Sequence, residues 1–317
     1  MGRLRGLPAR YRRRFCKIMS ATTHFNLIRS VVFLIPVVIT CGLSVAALSS
    51  SEGVQVRSNP PATAGGSDKK RDALVDVGGY RLHFRVIDGR SPTIVLESGG
   101  GADSSEWSSL QPQLARLTGL TVVSYDRAGF GESDLPSSPY SASEEVAGLE
   151  KDLKRLGLAK EVLLVGHSYG GLLNQLYSYK YPKSVRGIVL IDPNTVAFVD
   201  AIGGPKQLME IPFPTTPPLS KLQQAGIRQI TAFDKTIELV RTTALPRNIP
   251  VTVITAGKPW WPTPKQSDAY RAGHEAIVAG APNRSLVVAD GSGHNIPGER
   301  PDVVISSIQD LIRKLHP

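Results

Sequence analysis

The stretch Val162–Leu173, VLLVGHSYGGLL, changes its hydrophobic period in the middle. Its first four residues are a continuous apolar run, the pattern of a buried strand. From Leu172 onward, Leu172, Leu173, Leu176 and Tyr177 recur at helical spacing. Between the two periods stands Ser168, with Gly166 and Gly170 two residues to either side. Where a strand passes so tightly into a helix, a side chain at either flanking position would clash, and glycine is what the turn tolerates. Gly166-His167-Ser168-Tyr169-Gly170 therefore reads as a G-x-S-x-G turn that exposes a serine hydroxyl at the end of a strand.

Working outward, Ala73–Val77 and Tyr80–Ile87 read as two strands joined at Gly78-Gly79, a hairpin signal. Strands are then expected at Thr93–Leu96, Thr121–Tyr125, Val162–Val165, Val185–Ile191, Val251–Thr255 and Leu286–Val288. Helices are expected at Leu110–Leu117, Ser143–Leu156, after Ser168 to about Tyr181, and at Pro301–Leu315. Alternating strands and helices predict an α/β fold with a mostly parallel sheet covered on both faces, its site at the carboxyl ends of the strands. One interval breaks the rhythm. Residues 193–250 carry six prolines from Pro205 to Pro246 and one clear helical segment, about Leu219–Thr242, too long for a plain loop. A small cap inserted after the sixth strand is expected there. Its Phe198, Met209, Ile211, Phe213 and Phe233 either line a substrate pocket or pack the cap onto the sheet.

The chain has 317 residues and a net charge of +10, but that charge is unevenly placed. Eight basic residues and no acid precede residue 31, so the remainder is nearly neutral and a nucleic-acid surface is not expected. This basic leader, 1–30, is followed at 31–48 by VVFLIPVVITCGLSVAAL, an uncharged run between a signal-peptide core and a full transmembrane span in length. A retained anchor and cleavage near Ala47 both fit, and either leaves the positive flank inside and the rest across the membrane. Both cysteines, Cys16 and Cys41, precede residue 49, so the domain has neither disulfide nor Cys nucleophile. Residues 49–72, poor in large apolar side chains, read as a flexible linker to a domain at 73–317.

From about Ala73 to the end the chain resembles the α/β-hydrolases, specifically the lid-bearing serine esterases and their relatives. Four stretches carry the likeness in order: Leu96–Gly101 with Trp107, Asp126–Ser133, Gly166–Gly170, and Gly291–His294. The resemblance implies an eight-stranded, mostly parallel sheet with helices on both faces. It also implies a serine nucleophile at Ser168, a base from the late glycine loop, and oxyanion donors on the residue after the nucleophile and in the first glycine loop. Those donors fall on the N–H groups of Tyr169 and Gly100, the latter counted back from Trp107. Ser98 stands where the family usually has a histidine.

A serine hydroxyl needs a base to take its proton, and histidine titrates in the useful range. Among the domain's histidines only His294 lies in a glycine loop at a strand's carboxyl end, whereas His167, beside the serine, reads as packing or hydrogen bonding behind the site. The family's acid usually follows the seventh strand, yet Val251–Thr255 runs into Ala256-Gly257-Lys258-Pro259-Trp260-Trp261 with no carboxylate. Asp192, which ends the sixth strand, is the expected acid, with Asp268 as the alternative and a purely structural role for Asp192 left open. Asp126 reads as fixing its own glycine turn. The expectation is a serine hydrolase cleaving carboxylic esters, its substrate a small, apolar molecule. No cofactor or metal is implied, because no dinucleotide motif, P-loop or metal cluster accompanies the site. Amidases, peptidases, carbon–carbon hydrolases, acyltransferases and perhydrolases share the constellation, and an inactive tethered binding protein is the rival from another class.

Overall fold

The computed structural model describes residues 69–207 and 217–315; the 31–48 run, most of the linker, and Met209, Ile211 and Phe213 lie outside them. Among the described residues no helix is long and apolar enough to cross a membrane. Eight strands form one sheet: β1 (Lys70–Asp76), β2 (Arg81–Ile87), β3 (Arg90–Glu97), β4 (Leu120–Asp126), β5 (Val162–His167), β6 (Val185–Ile191), β7 (Val251–Ala256) and β8 (Arg284–Ala289). Their order is β1-β2-β4-β3-β5-β6-β7-β8, antiparallel at β1/β2 and β2/β4 and parallel thereafter. This is the expected α/β-hydrolase architecture.

The helices are α1 (Leu110–Thr118), α2 (Ala142–Arg155), α3 (Tyr169–Lys180), α4 (Val196–Ala201), α5 (Lys221–Thr231), α6 (Phe233–Arg241), α7 (Pro264–Ala279), α8 (Ile296–Glu299) and α9 (Pro301–Leu315). Their starts are written locally. Ser141 accepts the Glu144 N–H to cap α2, Thr263 does the same for Gln266 ahead of Pro264 in α7, and Ser220 with Gln223 makes a capping box on α5.

The central strands are apolar without alternation because both faces are covered. Val95, Val162 and Leu164 pack into one core with Val146 and Leu149 of α2, Leu172 and Leu176 of α3, and Ile237 of α6. Their neighbours Ile94, Leu96, Leu163 and Val165 point the other way, to Leu110 and Leu114 of α1 and to Val304, Ile308 and Leu311 of α9. Burying each such Leu or Ile contributes roughly 1.5–3 kcal/mol. β1, at the sheet edge, alternates exposed and half-buried residues instead.

The interval between β6 and β7 holds α4, a 3-10 turn at Pro205–Gln207, α5 and α6. Where one helix over about 219–242 was expected, the chain turns at Ala232 (φ −91°, ψ 2°). The turn lets Phe233, Ile237 and Val240 of α6 enter the core, while α5 buries Ala225 and Gln229 elsewhere. Phe198 is likewise core, its ring 4.5 Å from Trp261 and 4.8 Å from Tyr270.

Register sets where the chemistry gathers. Glu97 pairs with Gly166, His167 with Ile191, Ile191 with Ile254, and Ala256 with Ala289. The ends of β3, β5, β6, β7 and β8 thus share one rim, the carboxyl end of a parallel sheet.

Candidate active site

The turn after β5 is as tight as its glycines imply. A Cβ on Gly166 would lie 2.8 Å from the Gly170 carbonyl, and one on Gly170 would lie 2.5 Å from the Glu97 carbonyl of β3. Ser168 itself has φ 52° and ψ −114°, a backbone state that side-chain-bearing residues rarely adopt. Its N–H is tied to the Ile191 carbonyl at 2.9 Å, and its Oγ is buried with no hydrogen-bond partner among the described residues. Tyr169 opens α3, so its N–H is one of the helix's unpaired donors.

The loop after β3 is held from below by Arg127, which is fully buried. Its guanidinium pairs with Glu97 Oε1 at 2.7 Å, donates to the Ser98 carbonyl at 2.6 Å and to the Ala102 carbonyl at 3.2 Å, and also reaches the Gly99 carbonyl. With the carbonyls turned toward Arg127, the N–H groups are sorted by their acceptors. Gly99 donates to Glu106 Oε2 at 2.8 Å and Gly101 to Gln229 Oε1 of α5 at 3.0 Å, which leaves Gly100's N–H without an acceptor among the described residues. A Cβ on Gly100 would sit 3.4 Å from Tyr169 Cβ, so the two expected oxyanion donors are neighbours. Ser98, in the family's histidine position, organises the loop by itself: its Oγ donates to the Asp103 carbonyl and accepts the Trp107 indole N–H, both at 2.9 Å.

Asp192, directly after β6, has φ 41°, with Ser168 one of two non-glycine residues at positive φ among the described residues. Its Oδ2 is 2.6 Å from His294 Nδ1 and accepts the Trp260 indole N–H at 2.9 Å, while Oδ1 accepts the Ala256 N–H at 2.9 Å. Its backbone carbonyl takes the Tyr270 hydroxyl at 2.6 Å. Burial by itself would raise this carboxyl's pKa. The hydrogen bond and charge of His294, the nearby His274 and the Ala256 N–H outweigh it and hold the group below the ordinary carboxylate value. Burial also dominates at His294 and lowers its pKa, against the pull of Asp192.

His294 sits in the loop after β8, where Glu299 of α8 takes the Gly293 N–H at 2.8 Å. Two contacts seat it. Its ring lies 4.1 Å from that of Trp260, and its carbonyl oxygen is 2.9 Å from His167 Nε2, on the residue before Ser168. The structure therefore brings Ser168, Tyr169, Gly100, His294 and Asp192 to one rim. Asp268 is exposed on α7, and Asp126 binds the N–H groups of Ser104 and Glu132 at its own turn, at 2.8 and 2.9 Å.

Trp260, Glu106, Gln229 and Arg127 belong to this arrangement and had no assigned part in the sequence. Trp260 had a signal: it stands where a carboxylate is expected after β7, and it supplies a donor to the carboxylate that β6 brings instead. Among the described residues no group of His, Cys, Asp and Glu is placed to hold a metal ion.

Comparison with known proteins follows the same lines. The family described as the alpha/beta hydrolase family matches residues 94–307, more than half of the chain, and the chain belongs to that family. It is 26% identical over 243 residues to the uncharacterized protein YqjL of Bacillus subtilis (strain 168), covering 74% of this chain and 89% of that one. Over 118 residues it is 33% identical to a proline iminopeptidase of Lactobacillus helveticus (strain DPC 4571), 35% of this chain and only 40% of the relative's length. A thermophilic esterase from Thermogutta terrifontis, solved with malate bound, shares the fold with a TM-score of 0.54 at 20% identity, over 78% of this chain and all (100%) of that one.

Proposed function

We propose that this member of the alpha/beta hydrolase family is a serine hydrolase that cleaves carboxylic esters through an acyl-enzyme. The observation that carries the reading is the 2.6 Å contact between Asp192 Oδ2 and His294 Nδ1, on a rim shared with a strained, buried serine. A carboxylate there keeps Nδ1 protonated, which leaves Nε2 of the neutral ring as the base. Ser168 Oγ gives its proton to His294 and attacks the ester carbonyl. The oxyanion forms against the N–H groups of Gly100 and Tyr169, and His294 then protonates the leaving alkoxide. Water, deprotonated by the same histidine, releases the acid and restores Ser168.

The helices between β6 and β7 act in this reading as a cap. Gln229 of α5 steadies the Gly99–Gly101 loop, and the half-buried Trp260 and Trp261, the former with its ring 4.1 Å from that of His294, offer aromatic surface beside the site suited to an apolar acyl or alcohol group. Peptidase or amidase action is the second reading, favoured by the likeness to the proline iminopeptidase of Lactobacillus helveticus. Carbon–carbon hydrolysis, acyl transfer and perhydrolysis use the same groups, whereas an epoxide or haloalkane hydrolase would need an aspartate at Ser168.

A fluorophosphonate probe tests the class. Wild type is expected to label and Ser168→Ala not to, with ester turnover falling on the order of a millionfold. Turnover of Ser168→Ala within tenfold of wild type ends the serine reading, and a wild type that neither labels nor turns over ester leaves the inactive binding protein. A panel of aryl esters, anilides and prolyl amides then ranks the two substrate classes.

We further propose that the basic leader stays inside and the catalytic domain lies on the extracytoplasmic side, anchored by 31–48 or released by cleavage near Ala47. Fractionation with N-terminal sequencing separates anchor from export. Activity confined to the cytosol would overturn both.

A further inference from the structure

Glu106 lies in the 3-10 turn Ser104–Trp107 and His167 at the end of β5, yet Glu106 Oε1 is 2.5 Å from His167 Nδ1. Glu106 Oε2 accepts the Gly99 N–H at 2.8 Å, and His167 Nε2 is 2.9 Å from the carbonyl oxygen of His294. Both side chains are enclosed, 6% and 12% exposed for His167 and Glu106. Donor bookkeeping then decides the state of the ring. A carbonyl oxygen only accepts, so Nε2 carries a proton; Glu106 accepts the Gly99 N–H and, against its burial, is held below its ordinary value by His167, that N–H and Arg127, so it is an ionised acceptor and Nδ1 carries a proton as well. An imidazole protonated at both nitrogens is a cation.

His274, buried at the same rim, shows the contrast. Its Nε2 is 2.9 Å from the Pro193 carbonyl, but its Nδ1 faces the Thr255 hydroxyl at 2.9 Å. That hydroxyl can donate, so a single ring proton satisfies both contacts.

We propose that Glu106 and His167 are positioning residues: a buried ion pair that ties the Gly99 loop to the loop of His294 and holds a fixed positive charge beside the His294 ring. This rests on the serine-hydrolase reading, in which His294 must be neutral before it can take the proton of Ser168. The two rings are 4.6 Å apart between centroids, a range at which one cation disfavours a second. Charged groups that also act on the pair are Asp192 at the end of β6, Arg127 after β4, which reaches Glu106, and Glu97 at the end of β3, itself paired with Arg127. His294 faces Asp192 and Glu106 as well as His167, while Trp260 and Tyr270 present uncharged rings to it.

The balance follows from these neighbours. Burial would drive His167 toward neutrality, but Glu106 and the His294 carbonyl more than restore its proton, so its pKa is raised. At His294 burial and the His167 charge together outweigh Asp192 and the more weakly acting Glu106, both of which favour its proton. The pair therefore keeps the general base unprotonated, and the site reactive, at lower pH than Asp192 alone would allow.

The test follows the rate of fluorophosphonate labelling against pH in the full-length chain, for wild type, Ser168→Ala and His167→Gln. The glutamine amide can still donate to the His294 carbonyl but carries no charge. Its acid-limb midpoint is expected to move up by about one pH unit, beyond any change in the maximal rate. A slower variant with an unmoved midpoint would make His167 a merely structural residue and overturn the proposal. Failure of the wild type to label, or labelling that survives Ser168→Ala, would instead remove the serine reading and the proposal with it. A second measurement needs no change to the protein under study. Ring proton–nitrogen correlation spectra of histidine-labelled chain at pH 8, assigned by the signal lost in His167→Gln, should show two N–H groups on His167. One N–H there overturns the proposal whatever the kinetics show.

Discussion

Asp192 has more asked of it than orientation. Its two oxygens accept from Ala256, Trp260 and His294, so every oxygen faces a donor. An asparagine in its place must turn an NH2 group toward one of those donors and removes the charge that keeps His294 in its working tautomer. Asp192→Asn is therefore expected to lower turnover by roughly ten-thousandfold. It should also lower the melting temperature, because a buried donor is left facing a donor. Asp268→Asn, on the exposed face of α7, should change neither. Turnover and melting curves of both variants decide the matter; a full-speed Asp192→Asn of reduced stability would give Asp192 a structural role only.

Among the elements, the contact between β3 and α3 governs the site's geometry, since the turn that joins β5 to α3 exists only while the helix start can press on the strand. Gly170 is the point of pressure. A methyl group there would meet the Glu97 and Ser98 carbonyls at 2.5 and 2.7 Å, neither of which can move without disturbing the loop that Arg127 holds. Gly170→Ala is expected to destabilise by about 1–3 kcal/mol and to reduce probe labelling far more than unfolding alone explains. An alanine variant that labels at the wild-type rate would show that the helix start and the Gly99 loop are not coupled.

Across the whole molecule, the buried acids of α2 make stability depend on pH. Glu145 is enclosed beneath Arg127, and burial pushes its carboxyl up to about 7 despite that cation. The folded-state value is raised, so between 4.5 and about 7 the native chain holds a proton that the unfolded chain has released. Stability from this group is thus lost as pH rises through that window. Glu145→Gln is expected to raise stability at pH 8 by on the order of 2 kcal/mol and by almost nothing near pH 4.5. Equal shifts in melting temperature at the two pH values would mean that Glu145 is ionised without penalty in the folded protein.

What the sequence determined by itself was local or periodic: the change of rhythm around Ser168, the glycines its turn requires, the caps of the helices and the apolar strands of a covered sheet. Each is set by contacts within a few residues, which is why the succession of strands and helices along the chain could be read directly. The resemblance of four short stretches supplied the α/β-hydrolase fold and extended the reading to Gly100 and His294. What only the tertiary structure decided were pairings between distant positions: Asp192 against His294, 102 residues on, Trp260 against Asp192 across 68, and Glu106 against His167 across 61. No periodicity records such pairs, because side chains meet there only after strand register has aligned the ends of β3, β5, β6, β7 and β8. The protonation of His167 lies further still from the sequence, since it depends on which acceptors the fold brings to each nitrogen.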